Sequence, residues 1–294
     1  MSNVLITGAS GMLGATLVNE LKNDFNVFAT GSSNFPEQYS NYKKFDLRSE
    51  SYEELIEWAD PDIILHGGAL TNGNHCEQKP YDAFAINGIS VRKFLEATNK
   101  NIKIIYISTD AVFPSSVHLA KEDDIVCPEN VYGKSKELGE FFLNITEDRS
   151  YTIIRTTIVG LNINKRRKSF LEWIISSAKD HEKFGLFTDV VFCPISIWDL
   201  ANEIRFIICK NVDEKVFHIA GELCTKFDFG EKLLNALNIR TEMLSKTLIT
   251  SFGNRAKRSN DQSLDSAYYQ NKYNRRLPTL DETISKIKNY YERH

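Results

Sequence analysis

No apolar stretch among the 294 residues approaches the roughly 18 that a membrane-spanning helix requires, and no basic segment followed by a long apolar one precedes Val4-Leu5-Ile6. These absences predict a soluble cytoplasmic chain with no leader and no membrane partner. Cysteine is sparse. Cys76, Cys127, Cys193, Cys209 and Cys224 are odd in number, scattered and free of C-x-x-C spacing, which argues against a disulfide framework or a zinc site and predicts reduced thiols used in packing. The six histidines show no close ligand spacing, so no metal is expected. Excess positive charge is also missing: 36 Lys and Arg face 39 Asp and Glu, giving a formal charge of -3 and no general field to attract nucleic acid. Internal repeats and low-complexity segments are lacking, and the length is enough to bury one large core with an added lobe.

What is present is an alternation of short apolar runs with helical patterns. Asn3 to Thr7 reads as a strand, Gly8-Ala9-Ser10-Gly11-Met12-Leu13-Gly14 as a tight turn, and Leu17, Val18 and Leu21 as the inner face of a helix. The spacing is G-x-x-G-x-x-G. Gly8 and Gly11 let the backbone approach a pyrophosphate, Gly14 lets helix and strand pack closely, and the helix N-terminus supplies amides to the anion. The second strand, Asn26 to Thr30, runs into Gly31-Ser32-Ser33 without the acidic residue that holds an NAD ribose. NADP is therefore favoured, with NAD left open. A third strand over Lys43 to Leu47 places Asp46 either at the adenine or as the cap of a helix beginning near Ser49. Ile63-Ile64-Leu65-His66 leads into Gly67-Gly68-Ala69, a buried parallel strand ending in residues small enough for a cofactor to come close. His66 reads as a core residue. A long helix, Pro80 to Thr98, contains Asn87, and a fifth strand, Lys103 to Ile107, ends at Ser108-Thr109-Asp110. The pattern predicts a Rossmann-type, doubly wound parallel sheet whose ligand crevice lies beyond the carboxyl ends of the strands.

Tyr132 and Lys136 stand four apart at the start of a helical pattern, so they share a face, and a cation beside a phenol favours the phenolate. That pair suits acid–base work near neutral pH. After about residue 160 the alternation loosens, and 161–294 reads as a smaller substrate lobe with returns to the main sheet near 190–220. It includes a helix from Ser169 to Lys179 and a last helix from about Asp281 to Tyr290 packed onto the lobe. Lys165-Arg166-Arg167-Lys168, with Arg255, Lys257 and Arg258, are candidate partners for a diphosphate, against the plainer reading of a solvated face. Trp173 is placed to stack on a base or simply to pack.

The glycine turn, the strand end at 67–69, S-T-D-x-V-F at 108–113 and N-V-Y-G-K-S-K at 130–136 together resemble the extended short-chain dehydrogenase/reductases, and within them the dTDP-4-dehydrorhamnose reductase-like branch. The likeness continues in Ile153-Ile154-Arg155-Thr156-Thr157, in Leu186 to Asp189 and in Pro194-Ile195-Ser196. It implies that Thr109, with Ser108 as its alternate, bonds a substrate carbonyl, that Tyr132 donates the proton, and that Lys136 holds the nicotinamide ribose and biases Tyr132. It implies a cofactor lying along Gly8, Ser10, Gly11, Met12, Leu13, Gly14, Gly31, Ser32, Ser33, Asp46, Leu47, Gly67, Gly68 and Ala69. Substrate contacts fall to Thr71, Asp110, Ala111 and Arg258. The implied reaction is reduction of a nucleotide-activated 4-keto-6-deoxy sugar, dTDP-4-dehydro-L-rhamnose first. Ala111 departs from the branch's usual aromatic, which keeps UDP- or GDP-linked relatives in view. A dehydratase lacks its acidic pair here, whereas an epimerase, a noncatalytic NADP-binding regulatory subunit and a homodimeric assembly stay open.

Overall fold

Among the described residues seven parallel strands form the central sheet, its middle strands largely buried on both faces and each, save the edges, with a strand on either side. We label them β1 (Asn3–Thr7), β2 (Asn26–Gly31), β3 (Tyr42–Lys44), β4 (Ile63–His66), β5 (Lys103–Ile107), β6 (Tyr151–Arg155) and β7 (Val216–His218). Their order is β7-β6-β5-β4-β1-β2-β3. The structure, a computed structural model, describes residues 1–35, 39–49, 51–164, 168–251 and 259–293. Successive residues point to opposite faces. On β1, Val4 and Ile6 join one core with Leu17, Val18, Ile204 and Ile207, while Leu5 joins the other with Leu55, Ile64, Phe94, Tyr106 and Leu143. Each such buried side chain contributes roughly 1.5–3 kcal/mol relative to exposure. The order reverses at β1, which pairs with β2 on one side and β4 on the other, with Thr7 level with both Thr30 and His66. In open sheets of this kind such a reversal, beyond the carboxyl ends of the strands, is where ligands bind.

Past β6 the described residues build three small sheets. Thr157–Val159 pairs with Pro194–Ser196, Phe184–Phe187 with Leu244–Thr247, and Val191–Phe192 lies between Cys224–Thr225 and Asp261–Gln262. Phe184, Phe229 and Leu233 continue the core that begins under β1, and β7 returns to the main sheet as its edge. Ser169 caps the helix Phe170–Lys179 through a reciprocal box with Glu172. The last helix, Leu280–Tyr291, is capped in the same way by Thr279 and Glu282 and stacks Tyr290 on Trp198, ring centroids 3.8 Å apart.

Two elements differ from the expectation. The segment from Pro80 to Thr98 is not one α-helix: Pro80–Phe84 and Ser90–Ala97 flank a π-helical turn at Ala85–Ile89, where Asn87 leaves the helix face to bond a neighbouring loop. The second helix starts at Tyr52, not near Ser49. Its approach is held open because the Tyr52 hydroxyl donates to the Leu47 carbonyl (2.6 Å) and Lys93 Nζ donates to that of Ser49 (2.7 Å). All five cysteines are free. Among the described residues, no helix is long and apolar enough to cross a membrane.

Candidate active site

The turn after β1 is shaped by contact with the turn after β4. Gly8 has φ +71°, in the left-handed region, and a Cβ there would lie 2.6 Å from Gly68 Cα. A Cβ on Gly14 would run into the Gly8 carbonyl, so helix and turn also need both glycines. Gly11 precedes the helix Met12–Leu21, which has no side-chain cap and no acid in its first turn. Its leading amides and positive end are thereby left to an outside anion. Met12 is half-buried and Leu13 buried beneath the turn.

A chain of hydrogen bonds fixes the β4 side. Ser90 Oγ donates to the Ile86 carbonyl (2.7 Å), so it accepts from His66 Nε2 (2.9 Å). His66 Nδ1 then accepts from the Thr7 hydroxyl (2.7 Å), whose oxygen accepts from the Gly68 amide (3.0 Å). Burial, with Lys136 second, pulls His66 down to about 3, so the ring is neutral as this chain requires. Leu47 closes over Gly68, since a Cβ there would meet Leu47 Cδ1 at 2.7 Å, and Ala69 is half-buried beside it. At the end of β2, Gly31 lies against Ser10 and Tyr42, and the Tyr42 hydroxyl donates to the Gly31 (3.2 Å) and Ser33 carbonyls. Ser32 is exposed. Asp46 does not cap the following helix: its carboxylate is held by Arg48 (2.7 Å), which also reaches Asp82 (3.2 Å).

Past the strand end at Thr109, the helix Val131–Asn144 starts where Asn130 Oδ1 accepts from the Gly133 amide (2.8 Å) and Glu77 accepts from the Val131 amide (2.9 Å). Gly133 lets that first turn press on the strand end: a Cβ would collide with the Ala111 carbonyl and lie 2.8 Å from Pro128. Tyr132 is thereby brought beside Thr109, whose hydroxyl opposes the effect of burial on the phenol. Thr109 donates to Asp110 Oδ1 (2.8 Å), and Asp110 Oδ2 accepts from the Thr157 hydroxyl (2.6 Å). Burial raises the Asp110 carboxyl above its ordinary range, with both hydroxyls opposing.

Electrostatics around the pair differ from the expectation. Tyr132 is pushed upward by burial, with Thr109 opposing and Asp110 adding, and Lys136 is not among the causes. Lys136 is itself 2% exposed, with Nζ 4.0 Å from the centroid of Tyr106, and burial lowers it to about 7 against the pull of Glu140. The phenol is thus held protonated, a donor and not a phenolate. Ser108, the alternate donor, faces elsewhere: it donates to Glu140 Oε1 (2.5 Å), which pairs with buried Arg155 (2.8 Å). Successive residues on an extended chain point apart, so Thr109 and Ser108 do not interchange.

Asn87 was legible only as a residue within a helix, yet it joins the halves of the site. Its Oδ1 accepts from the Leu70 amide (2.7 Å), and its Nδ2 donates to the Leu70 carbonyl (3.0 Å) and to Ser135 Oγ (2.8 Å). Asn87→Ala leaves the Leu70 amide unpaired, at about 1–3 kcal/mol when no water replaces the side-chain amide, and takes one partner each from the Leu70 carbonyl, which keeps Cys76, and from Ser135, which keeps the Tyr132 carbonyl. Thermal unfolding is expected to show a clear loss of stability, and an unchanged midpoint would remove Asn87 from this role.

A model of the RmlD substrate binding domain family matches residues 1–292. The chain belongs to that family. The spore coat polysaccharide biosynthesis protein SpsK of Bacillus subtilis is 30% identical over 264 residues, covering 88% of this chain and 87% of the relative. A dTDP-4-dehydrorhamnose reductase of Sinorhizobium fredii is 28% identical, covering 74% and 71%. The crystal structure of dTDP-4-dehydrorhamnose reductase from Bacillus anthracis in complex with NADP superposes with TM-score 0.87 over 99% of both chains at 24% identity, a likeness of fold.

In this RmlD family member the residues expected to meet a substrate scatter. Asp110 and Ala111 lie beside Tyr132, and Thr71 is exposed just before the helix Gly73–Gln78. Arg258, Arg255, Lys257 and Lys165 to Arg167 lie outside the described residues. Lys168 donates to Ser176 Oγ (2.9 Å). Trp173 is 39% exposed and packs on Phe170 and Phe184, centroids 6.2 and 5.5 Å away.

Proposed function

We propose that this chain is an NADPH-dependent reductase of a nucleotide-activated 4-keto-6-deoxy sugar, with dTDP-4-dehydro-L-rhamnose as the leading substrate and NADH as a weaker cofactor. One observation carries the reading: Tyr132, its phenol held protonated by burial and set beside Thr109, stands at the carboxyl edge of a parallel sheet that also bears an uncapped helix behind a glycine turn. The glycine cradle fits a dinucleotide, because the contacts at Gly8 and Gly14 leave no room for a Cβ, while the helix amides stay available. Reduction of a ketone needs a hydride on carbon, which NADPH supplies when bound, and a proton on oxygen. Tyr132 gives that proton. Thr109 turns its hydroxyl from Asp110 to the same oxygen, so two donors meet the charge that grows there in the transition state. Lys136, on the same helical face, holds the nicotinamide ribose.

The segment after about 160, with its three small sheets, is the part assigned to the nucleotide sugar, and the relatives named for polysaccharide and rhamnose synthesis support that assignment. Binding energy from a remote diphosphate and base orients the reacting carbon without joining the chemistry. A dTDP-linked 4-keto sugar is therefore expected to show a much larger kcat/KM than the same sugar without its nucleotide. Equal values for the two would end the nucleotide-sugar reading.

A further inference from the structure

The end of β2 offers no cation for the 2'-phosphate that distinguishes NADPH from NADH, so the charge must come from another element. β3 runs parallel to β2 with Tyr42 opposite Ala29, Lys43 opposite Thr30 and Lys44 opposite Gly31. Lys44 therefore sits at the same level as the residue after which an acidic ribose ligand is missing. Neighbouring strands are about 4.8 Å apart, a gap that a lysine stem spans.

Alternation along β3 sets which lysine faces the crevice. Lys43 lies over Trp58, Nζ 5.9 Å from its ring, on the face covered by the helix Tyr52–Ala59. Tyr42 packs with the opposite core, which contains the helix Met12–Leu21, and its hydroxyl reaches the Gly31 and Ser33 carbonyls. Residues two apart on a strand share a face, so Lys44 emerges beside Tyr42, on the side of the glycine turn. Lys44 is exposed and, among the described residues, its side chain makes no hydrogen bond or ion pair. The other nearby cation is occupied: Arg48 is neutralised by Asp46 and Asp82.

We propose that Lys44, with the hydroxyls of Ser32 and Ser33, reads the adenosine 2'-phosphate and sets the preference for NADPH. This rests on the glycine turn being a dinucleotide site. Direct titration of NADPH and NADH onto the full-length chain tests it, comparing the parent with Lys44→Gln, Lys44→Arg and Lys43→Gln. Lys44→Gln is expected to weaken NADPH by about 10-fold or more, the scale of a lost charge-assisted bond, with NADH changed less than about twofold. Lys44→Arg and Lys43→Gln should keep the parent's ratio. A parent that prefers NADPH with a ratio untouched by Lys44→Gln overturns the proposal but spares the cofactor reading. A parent that binds both cofactors equally overturns both.

Discussion

Tyr132→Phe is expected to lower turnover by roughly 10²-fold or more while NADPH still binds. The substitution removes one oxygen and little volume, from a ring whose hydroxyl lies beside Thr109. Without it the alkoxide forming on the substrate loses its proton source and one of two donors, and a donor at such an oxyanion is worth about 2.7–4 kcal/mol where it has been removed elsewhere. Burial holds the phenol protonated through neutral pH, so the parent keeps its acid ready without help from Lys136. The effect should appear in kcat and kcat/KM together, because the interaction is made only in the transition state. Single-turnover measurement separates this step from cofactor release. A Tyr132→Phe protein that reduces its substrate as fast as the parent would pass the role of acid to Thr109 or to water.

How much of this was legible depended on whether a residue acts through its neighbours in sequence or in space. β1, β2, β4 and β5 were readable because strands buried on both faces are continuous apolar runs, and the glycine turn because its constraint is local. Gly133, in contrast, matters through the Ala111 carbonyl, and nothing in the spacing announces that contact. The assignment of Lys136 as a modifier of Tyr132 followed from the i, i+4 rule, which places two side chains on one face but says nothing about where their tips go. In the fold, Lys136 turns onto Tyr106. The π-helical turn was hidden because Pro80 to Thr98 has the composition of an ordinary helix. Only the Leu70 loop, distant in sequence, explains why Asn87 leaves it. Glu140 was similarly silent: its place in the sequence announces no role, and β6 turns it into the partner of Arg155.

That partnership sets the largest expected loss of stability. Arg155 Nη2 donates to Glu140 Oε2 at 2.8 Å and Nε to Oε1 at 3.1 Å, with both side chains buried. The same guanidinium reaches the Glu122 carbonyl (3.2 Å) and His218 Nε2 (3.3 Å), while the His218 amide donates to Glu122 Oε1 (2.9 Å). Strand β6, β7, the helix bearing Tyr132 and the segment leading to it from Thr109 therefore meet at one charge pair. Arg155→Met leaves the Glu140 carboxylate buried without its cation, and a broken buried pair typically costs about 3–5 kcal/mol. The ion pair need not be a net gain over apolar packing, since its desolvation offsets much of its attraction. Arg155→Met combined with Glu140→Met is accordingly expected to recover much of the lost stability, short of the bond Ser108 gives to Glu140 and those Arg155 gives to the Glu122 carbonyl and His218. Urea unfolding of the parent, the two single variants and the double variant measures the coupling directly. Single variants that unfold within about 1 kcal/mol of the parent would mean that water reaches the pair and screens it, contrary to the burial seen here.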